Sequence, residues 1–339
     1  MGNSRISQLL GLAPGSEHGI KETRYLGREG QPAGSGYPIA FGVDGNFIRH
    51  ACIAIQSLIA QAGSAQLRFH LITSEDTAGV ADKLQALVAG TDHGIHTHQL
   101  PEALFANLPA TALFTKAIYY RLLAPYLLEQ QETLLYLDAD IVCINPFITI
   151  YQQLTATPEV ACVVSEDAPL AAGLAGKIGL RGTRYFNSGM LLIDVQRWLQ
   201  AAISEKVLAV LKERGDHFQY MDQDALNIVL EGKVKFIDRK YNTIFMLEHN
   251  EKGYAKMPAN NTVFLHYAGA DKPWQQWNKQ RGCRFYTDVY QTSPWAAWPF
   301  DLPRHDQQAK KMYKRLFREK KYLSGLRWYI RYFILRYGK

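Results

Sequence analysis

Cysteine is scarce in this sequence, and what there is lies scattered. Cys52, Cys143, Cys162 and Cys283 stand far apart with no paired spacing, which argues against both a disulfide framework and a cysteine-ligated zinc module. Three of them sit in apolar runs, where a free thiol behaves as a small hydrophobe, so a reducing, cytosolic setting is expected. Long apolar runs are missing too. None reaches the ~18 residues that a membrane-spanning helix requires. Met1 to Gly36 shows no basic start followed by an apolar stretch, so no secretory leader is expected. There is no Walker-type phosphate loop and no dinucleotide-binding glycine fingerprint, because Gly34-Ser35-Gly36 precedes the first strand instead of following one. No internal repeat is found.

The chain does have material for a core: 47% of its 339 residues are hydrophobic, enough for one large domain or two ordinary ones. Its formal net charge of +7 conceals a division. Residues 310–339 hold eleven basic side chains and one acidic, a local charge of +10, which leaves the remainder at −3. The basic character belongs to the tail.

Residues 1–36, rich in Gly, Ser and charge, read as a flexible leader. From Tyr37 onward strands and helices alternate. Tyr37 to Val43 is a strand, Asp44-Gly45-Asn46 a turn, and Phe47 to Ala62 a helix by its apolar spacing. Leu67 to Ile72, a weaker stretch near Gly94 to Leu100, and Val160 to Val164 are further strands. Met190 to Ile193 and Val263 to Tyr267 complete the set. Helices are expected at 77–88, 115–129, 196–213 and 222–231, and a Gly-rich mobile loop at 170–182. Such alternation implies an α/β fold with a mostly parallel, doubly wound sheet. His96 and His98 would share a face of an edge strand; with no carboxylate nearby, they and His93 are not read as a metal site.

The centre of the sequence is LLYLDADIV, residues 134–142. Four large apolar residues read as a buried strand that ends abruptly in Asp138-Ala139-Asp140. In an open α/β sheet, ligands bind beyond the carboxyl ends of the strands. Two carboxylates one residue apart there suit a hard divalent cation such as Mg²⁺ or Mn²⁺. An Asp-x-Asp triplet alone is weak, and Asp222-Gln223-Asp224 is a second one. There Asp222 is equally readable as a first-turn acid of a helix. Arg121, among apolar neighbours, needs an anionic partner, either a carboxylate or a phosphate. Asp44, Asn46, Asp138, Asp140, Asn187, Asp222, Gln223, His266 and Lys272 all fall near strand ends, a placement that suits a metal-bound diphosphate.

Taken together and in order, LDAD, FNSGMLLID, MDQDALN and HYAGADKPW resemble the retaining family 8 glycosyltransferases, and within them the bacterial lipopolysaccharide core α-glucosyl- and α-galactosyltransferases. The resemblance implies a GT-A fold over residues 37–275, Rossmann-like, binding UDP-glucose or UDP-galactose with Mn²⁺ or Mg²⁺. It implies a basic helical extension over residues 276–339. By position, Asp138, Asp140 and His266 match the metal ligands. Gly42, Asp44 and Asn46 match the uridine-contacting strand end, although Gly45 replaces a second acid. Arg121, Asn187 and Asp222 match donor-sugar contacts, Gly269 and Lys272 the diphosphate loop, and Gln223 the residue beneath the anomeric carbon. Asp222 and Gln223 are therefore the catalytic candidates. Gln223 is a poor nucleophile, so retention is expected by same-face attack. LLYLDADIV also satisfies the haloacid dehalogenase pattern, with Asp138 as a phosphorylated nucleophile. A non-catalytic nucleotide-sugar-binding protein at a membrane surface is the other alternative.

In the tail, Leu323, Leu326, Ile330, Phe333 and Tyr337 share one helical face, with Arg327 and Arg331 beside it. This reads as an interfacial helix on an anionic membrane. The competing reading is a helix docked on the body. No folded nucleic-acid module is present. The expected location is cytoplasmic, peripheral on the inner face of the bacterial inner membrane, where a lipid-anchored lipopolysaccharide core acceptor would lie.

Overall fold

The computed structural model describes residues 22–28, 36–105, 115–155, 157–247 and 257–338, with Ile6, Leu9 and Leu108. Most of the segment expected to be a leader lies outside the described residues. The chain divides into two compact units, residues 1–243 with 260–266, and residues 244–259 with 267–339.

In chain order the first elements are β1 (Glu22–Gly27), β2 (Tyr37–Gly42), α1 (Ile48–Ala60), β3 (Leu67–Thr73), α2 (Ala81–Val88) and β4 (Gly94–Gln99). Then come α3 (Ala124–Leu127), β5 (Thr133–Leu137), β6 (Ile141–Cys143), β7 (Ala161–Ser165), α4 (Ala168–Ile178) and β8 (Phe186–Asp194). The rest are α5 (Val195–Gln200), α6 (Ile203–Arg214), α7 (Asp222–Val229), β9 (Val234–Phe236), β10 (Thr243–Ile244), β11 (Phe264–His266), α8 (Arg284–Gln291), α9 (Asp306–Arg318) and α10 (Tyr322–Tyr337).

The main sheet has the order β1-β4-β3-β2-β5-β8-β7-β9. β4-β3-β2-β5 run parallel, as do β7 and β9, while β8 runs against both of its neighbours. From β2 the chain builds outward through β3 and β4, then returns to β5 on the other side of β2. The strand order therefore reverses between β2 and β5, which is where an open α/β sheet leaves a crevice at its carboxyl edge. β3 is buried along its whole length, and the apolar part of β5, Leu134 to Leu137, is buried too.

Four expectations change. Residues 22–27, assigned to a flexible leader, form β1 and pair antiparallel with β4 from Glu22↔Gln99 to Gly27↔Gly94. β4 is therefore an inner strand, and its histidines are buried, not on a polar edge. Residues 170–182 are not a loop: α4 fills most of the stretch, because its alanines favour helix enough to carry two glycines. Gly179, at φ +80°, closes it in the left-handed conformation. The helix expected at 115–129 is a 3₁₀ segment, Lys116–Leu122, followed by the single turn of α3. Finally, the helix expected at 196–213 is broken at Ala202, φ 51°. The break is pinned by Trp198 Nε1, which donates to Ser204 Oγ (2.9 Å), and by Ser204 Oγ, which donates to the Leu122 carbonyl (2.7 Å).

In the second unit α9 and α10 form a helical hairpin. Gly325 of α10 stands where a Cβ would lie 2.5 Å from the Phe317 ring, so the aromatic side chain packs directly on helix backbone. Trp277, Met312, Leu316 and Trp328 make a small apolar cluster. The outer face of α10 is uncovered: Leu323 is 88% exposed, and Leu326, Ile330, Phe333 and Tyr337 are all exposed. Among the described residues, no helix is long and apolar enough to cross a membrane.

Candidate functional site

Three elements bring a cluster together at the carboxyl edge of the sheet. β5 ends at Leu137, and Asp138 follows, its N–H donating to the Gly189 carbonyl of β8 (2.8 Å). A tight turn leads through Asp140 into β6. There β11 pairs antiparallel with β6, setting His266 opposite Ile141. One ligand atom each from Asp138, Asp140 and His266 lies within 4.8 Å of the others. His266 Nε2 is 3.1 Å from Asp140 Oδ1. Two carboxylates and an imidazole form an oxygen- and nitrogen-rich set that fits a divalent cation of the Mn²⁺ or Mg²⁺ kind. The approach depends on Gly189. A Cβ there would fall 2.4 Å from His266 Cε1 and 2.9 Å from Asp138 Oδ2.

Arg121 is buried beneath this cluster. Its Nη2 donates to Asp138 Oδ1 (2.8 Å), its Nη1 to the Ser188 carbonyl (2.6 Å) and its Nε to the Ile118 carbonyl (3.0 Å). The same Nε lies 3.0 Å from Asp222 Oδ2, but its hydrogen serves Ile118, and Oδ2 accepts no hydrogen bond. The guanidinium also stands 4.9 Å over the Tyr136 ring. Burial disfavours its charge, and the adjacent Asp138 and Asp222 carboxylates more than compensate. Asp222 opens α7 and is itself buried. Burial, opposed by Arg121 and reinforced by Asp138, leaves its carboxyl raised to about 6. The anionic partners that Arg121 requires are carboxylates of the protein itself.

Gln223 has both ends of its amide engaged. Oε1 accepts from the Ser188 N–H (2.9 Å), and Nε2 donates to Tyr185 Oη (3.2 Å). Its oxygen is committed to backbone, consistent with its poor standing as a nucleophile. Asp224, the third residue of that triplet, is structural: it accepts from the Tyr185 hydroxyl and from the Tyr220 N–H.

Asn187 sits at the start of β8, yet it reaches the same edge as the end of β5 because the two strands are antiparallel. It bonds Glu166, Gly189 and Asn242. At the end of β2, Asp44 Oδ1 accepts from the N–H groups of Asn46 (3.1 Å) and Phe47 (3.3 Å), and Oδ2 accepts from Thr115 Oγ1 (3.0 Å). Asp44 thus folds the turn that presents the exposed Asn46. The Gly42 N–H donates to Tyr136 Oη at 3.3 Å. Gly269 and Lys272 belong to the second unit. Gly269 takes φ +87°, and Lys272 donates from Nζ to the Tyr267 carbonyl (2.7 Å) and from its N–H to Gln275 Oε1 (2.8 Å). Gly189 stands within FNSGMLLID with no role visible in the sequence, and Tyr185, Glu166 and Asn242 lie outside the motifs. Nothing in their local patterns marks them.

The mostly parallel sheet with this acidic edge is the GT-A glycosyltransferase fold. A solved structure of the galactosyltransferase LgtC with donor and acceptor sugar analogs superposes at a TM-score of 0.65, covering 81% of this chain and 99% of that one at 22% identity. The glycosyltransferase GlyE of Streptococcus pneumoniae superposes at 0.58, covering 77% and 62% at 18% identity. The chain belongs to glycosyl transferase family 8, whose model matches residues 38–278, and the family 8 C-terminal model matches residues 283–336. It is 31% identical to a lipopolysaccharide 1,2-glucosyltransferase of Escherichia coli over 85% of this chain and 87% of that protein. It is also 31% identical to a lipopolysaccharide 1,3-galactosyltransferase of Salmonella typhimurium over 88% and 90%. The protein is a hexosyltransferase, and the phosphatase and non-catalytic readings of its acidic strand end are set aside.

Proposed function

We propose that the protein transfers glucose or galactose, with retention, from a UDP-sugar to a lipopolysaccharide core oligosaccharide. The observation that carries this reading is the convergence of Asp138, Asp140 and His266 within 4.8 Å of one another in a family 8 chain. These three residues would hold Mn²⁺ or Mg²⁺, which supplies Lewis-acid stabilisation of the departing UDP. The protein's own groups divide the remaining work. Lys272, by its match to the family's diphosphate loop alone, would contribute fixed positive charge to the leaving group. Asn46, presented by the Asp44 turn, and the neighbouring Gly42 meet the uridine end. Arg121 braces Asp138 and Asp222 from below, and Asp222 and Asn187 face the donor sugar. Gln223 lies under the anomeric carbon with its oxygen tied to backbone, which favours same-face attack by the acceptor hydroxyl over a covalent intermediate.

Incubation with Mn²⁺ and a panel of UDP-sugars, reading UDP release, tests the reading. Release is expected from UDP-glucose or UDP-galactose and is expected to vanish in Asp138→Asn with Asp140→Asn. Release from neither sugar would refute it.

The acceptor class follows the names of the relatives and the character of the tail. The face of α10 that exposes Leu323, Leu326, Ile330 and Phe333 also carries Arg327 and Arg331, a combination suited to lying in an anionic membrane interface. We place the enzyme at the inner face of the bacterial inner membrane, beside a lipid-anchored acceptor. Replacing the exposed Leu323, Leu326 and Ile330 by Ser should spare UDP-sugar binding and move the protein from membrane to soluble fractions; an unchanged distribution counts against the placement.

A further inference from the structure

His266 is the one member of the ligand set whose lone pair depends on where a ring proton sits. Its Nδ1 lies 3.0 Å from Asn242 Oδ1. Which atom there carries the hydrogen is settled at Asn187. The Gly189 N–H donates to Asn187 Oδ1 (3.0 Å), and Asn187 Nδ2 donates to the Glu166 carboxylate (3.0 Å). A flipped Asn187 would set its amide hydrogens against a backbone N–H and its oxygen against a carboxylate, so its orientation is fixed. Asn242 Nδ2 then donates to the same Asn187 Oδ1 (3.0 Å). A flipped Asn242 would face that oxygen with its own. Asn242 therefore turns Oδ1 toward His266, and an amide oxygen can only accept. The proton on that side belongs to His266 Nδ1. In the neutral ring this leaves the Nε2 lone pair facing Asp140 Oδ1 at 3.1 Å.

We propose that Asn242 is a positioning residue of the cation site. Anchored through Asn187 to a backbone N–H and to Glu166, it keeps His266 in the tautomer whose Nε2 is available as a ligand. The proposal rests on the cation reading given above. Asn242 is buried, 1% exposed, and it acts only through His266. Hydrogen-bond partners that orient a metal-binding imidazole typically change cation affinity 10- to 100-fold when removed.

The test uses the full chain and two variants, Asn242→Leu and Asn242→Asp. Mn²⁺ affinity is measured by calorimetry. The His266 tautomer is read by long-range ¹H–¹⁵N correlation on histidine-labelled protein without added metal, with the resonance assigned from His266→Gln. In the unsubstituted protein the proton should sit on Nδ1. Asn242→Leu should shift it toward Nε2 and lower Mn²⁺ affinity about 10- to 100-fold. Asn242→Asp keeps an acceptor facing Nδ1 while losing the donor to Asn187. It should retain the Nδ1 proton and lose less Mn²⁺ affinity than Asn242→Leu, since a carboxylate also serves as such a partner even with its second oxygen set against Asn187 Oδ1. A merely structural role predicts the opposite for aspartate, with affinity as poor as for leucine, and that result overturns the proposal. So does an Nε2 proton in the unsubstituted protein, or an Asn242→Leu variant with unchanged tautomer and affinity. Should the leucine variant fail to fold, the unsubstituted protein and the aspartate variant still decide. A chain that binds no Mn²⁺ but shows the expected tautomer response overturns the cation reading alone.

Discussion

Arg121 and Asp138 are joined at 2.8 Å, so one of the two carboxylates at the end of β5 is already held by a buried guanidinium. Arg121 also stands beside the buried Asp222. Removing its charge would strand two acids close together in low dielectric. Arg121→Leu should cost about 3–5 kcal/mol of stability, the usual consequence of breaking a buried ion pair, seen as a lowered urea midpoint. Arg121→Lys keeps the charge but not the planar fork, and should recover part of that stability without restoring UDP release. Equal midpoints for the leucine variant and the unsubstituted chain would contradict this account.

Gly189 offers a sharper lever on the ligand set. Adding one methyl places a carbon where His266 Cε1 and Asp138 Oδ2 now pass. Gly189→Ala should therefore weaken Mn²⁺ binding at least about 10-fold. Calorimetry beside circular dichroism would show the loss of affinity with secondary structure retained.

The engaged amide of Gln223 leads to a kinetic expectation. Gln223→Ala should lower kcat by about 100-fold, the scale for losing one preorganised polar group, and leave measurable turnover. Asp138→Ala should leave none. Equal loss in the two variants would point to a direct nucleophile.

Acid sensitivity should arise on the opposite wing of the sheet. His70, His96 and His98 stack in a buried row, with His70 Nδ1 3.0 Å from His98 Nε2 and Thr23 Oγ1 3.3 Å from His98 Nδ1. Burial, then the nearby His96, lowers the His98 pKa to about 4, and burial with His98, His96 and Arg68 holds His70 low as well. The folded state keeps these rings neutral, whereas the unfolded chain takes up protons below about 6.5. Their contribution is complete above that pH and is lost as pH falls toward 4. For His98 alone the loss is about 3 kcal/mol. Denaturant midpoints at pH 7 and pH 5 should differ less in His98→Gln than in the unsubstituted chain.

The carboxylates of β5 were legible because an apolar run that stops at Asp-x-Asp signals both the strand and its exposed end. The direction of β8 was not, since hydrophobic pattern carries no sense of parallel or antiparallel; Asn187 was placed near a strand end without the reason that it belongs there. α4 was misread because its glycines outweighed its alanines in the pattern, and β1 because a short charged segment has no periodicity until β4 pairs with it. Asn242 and Glu166 show a harder limit. Their role lies in which amide atom faces which neighbour, and that orientation exists only once elements far apart in the chain have met.

Asn187, at the start of β8, is covalently continuous with the segment that follows α4, while Asp138 and Asp140 follow the neighbouring strand β5. Under the proposed roles, substitutions in residues 179–184 would alter the approach to Asn187 while leaving the strand end that carries Asp138 and Asp140 in place.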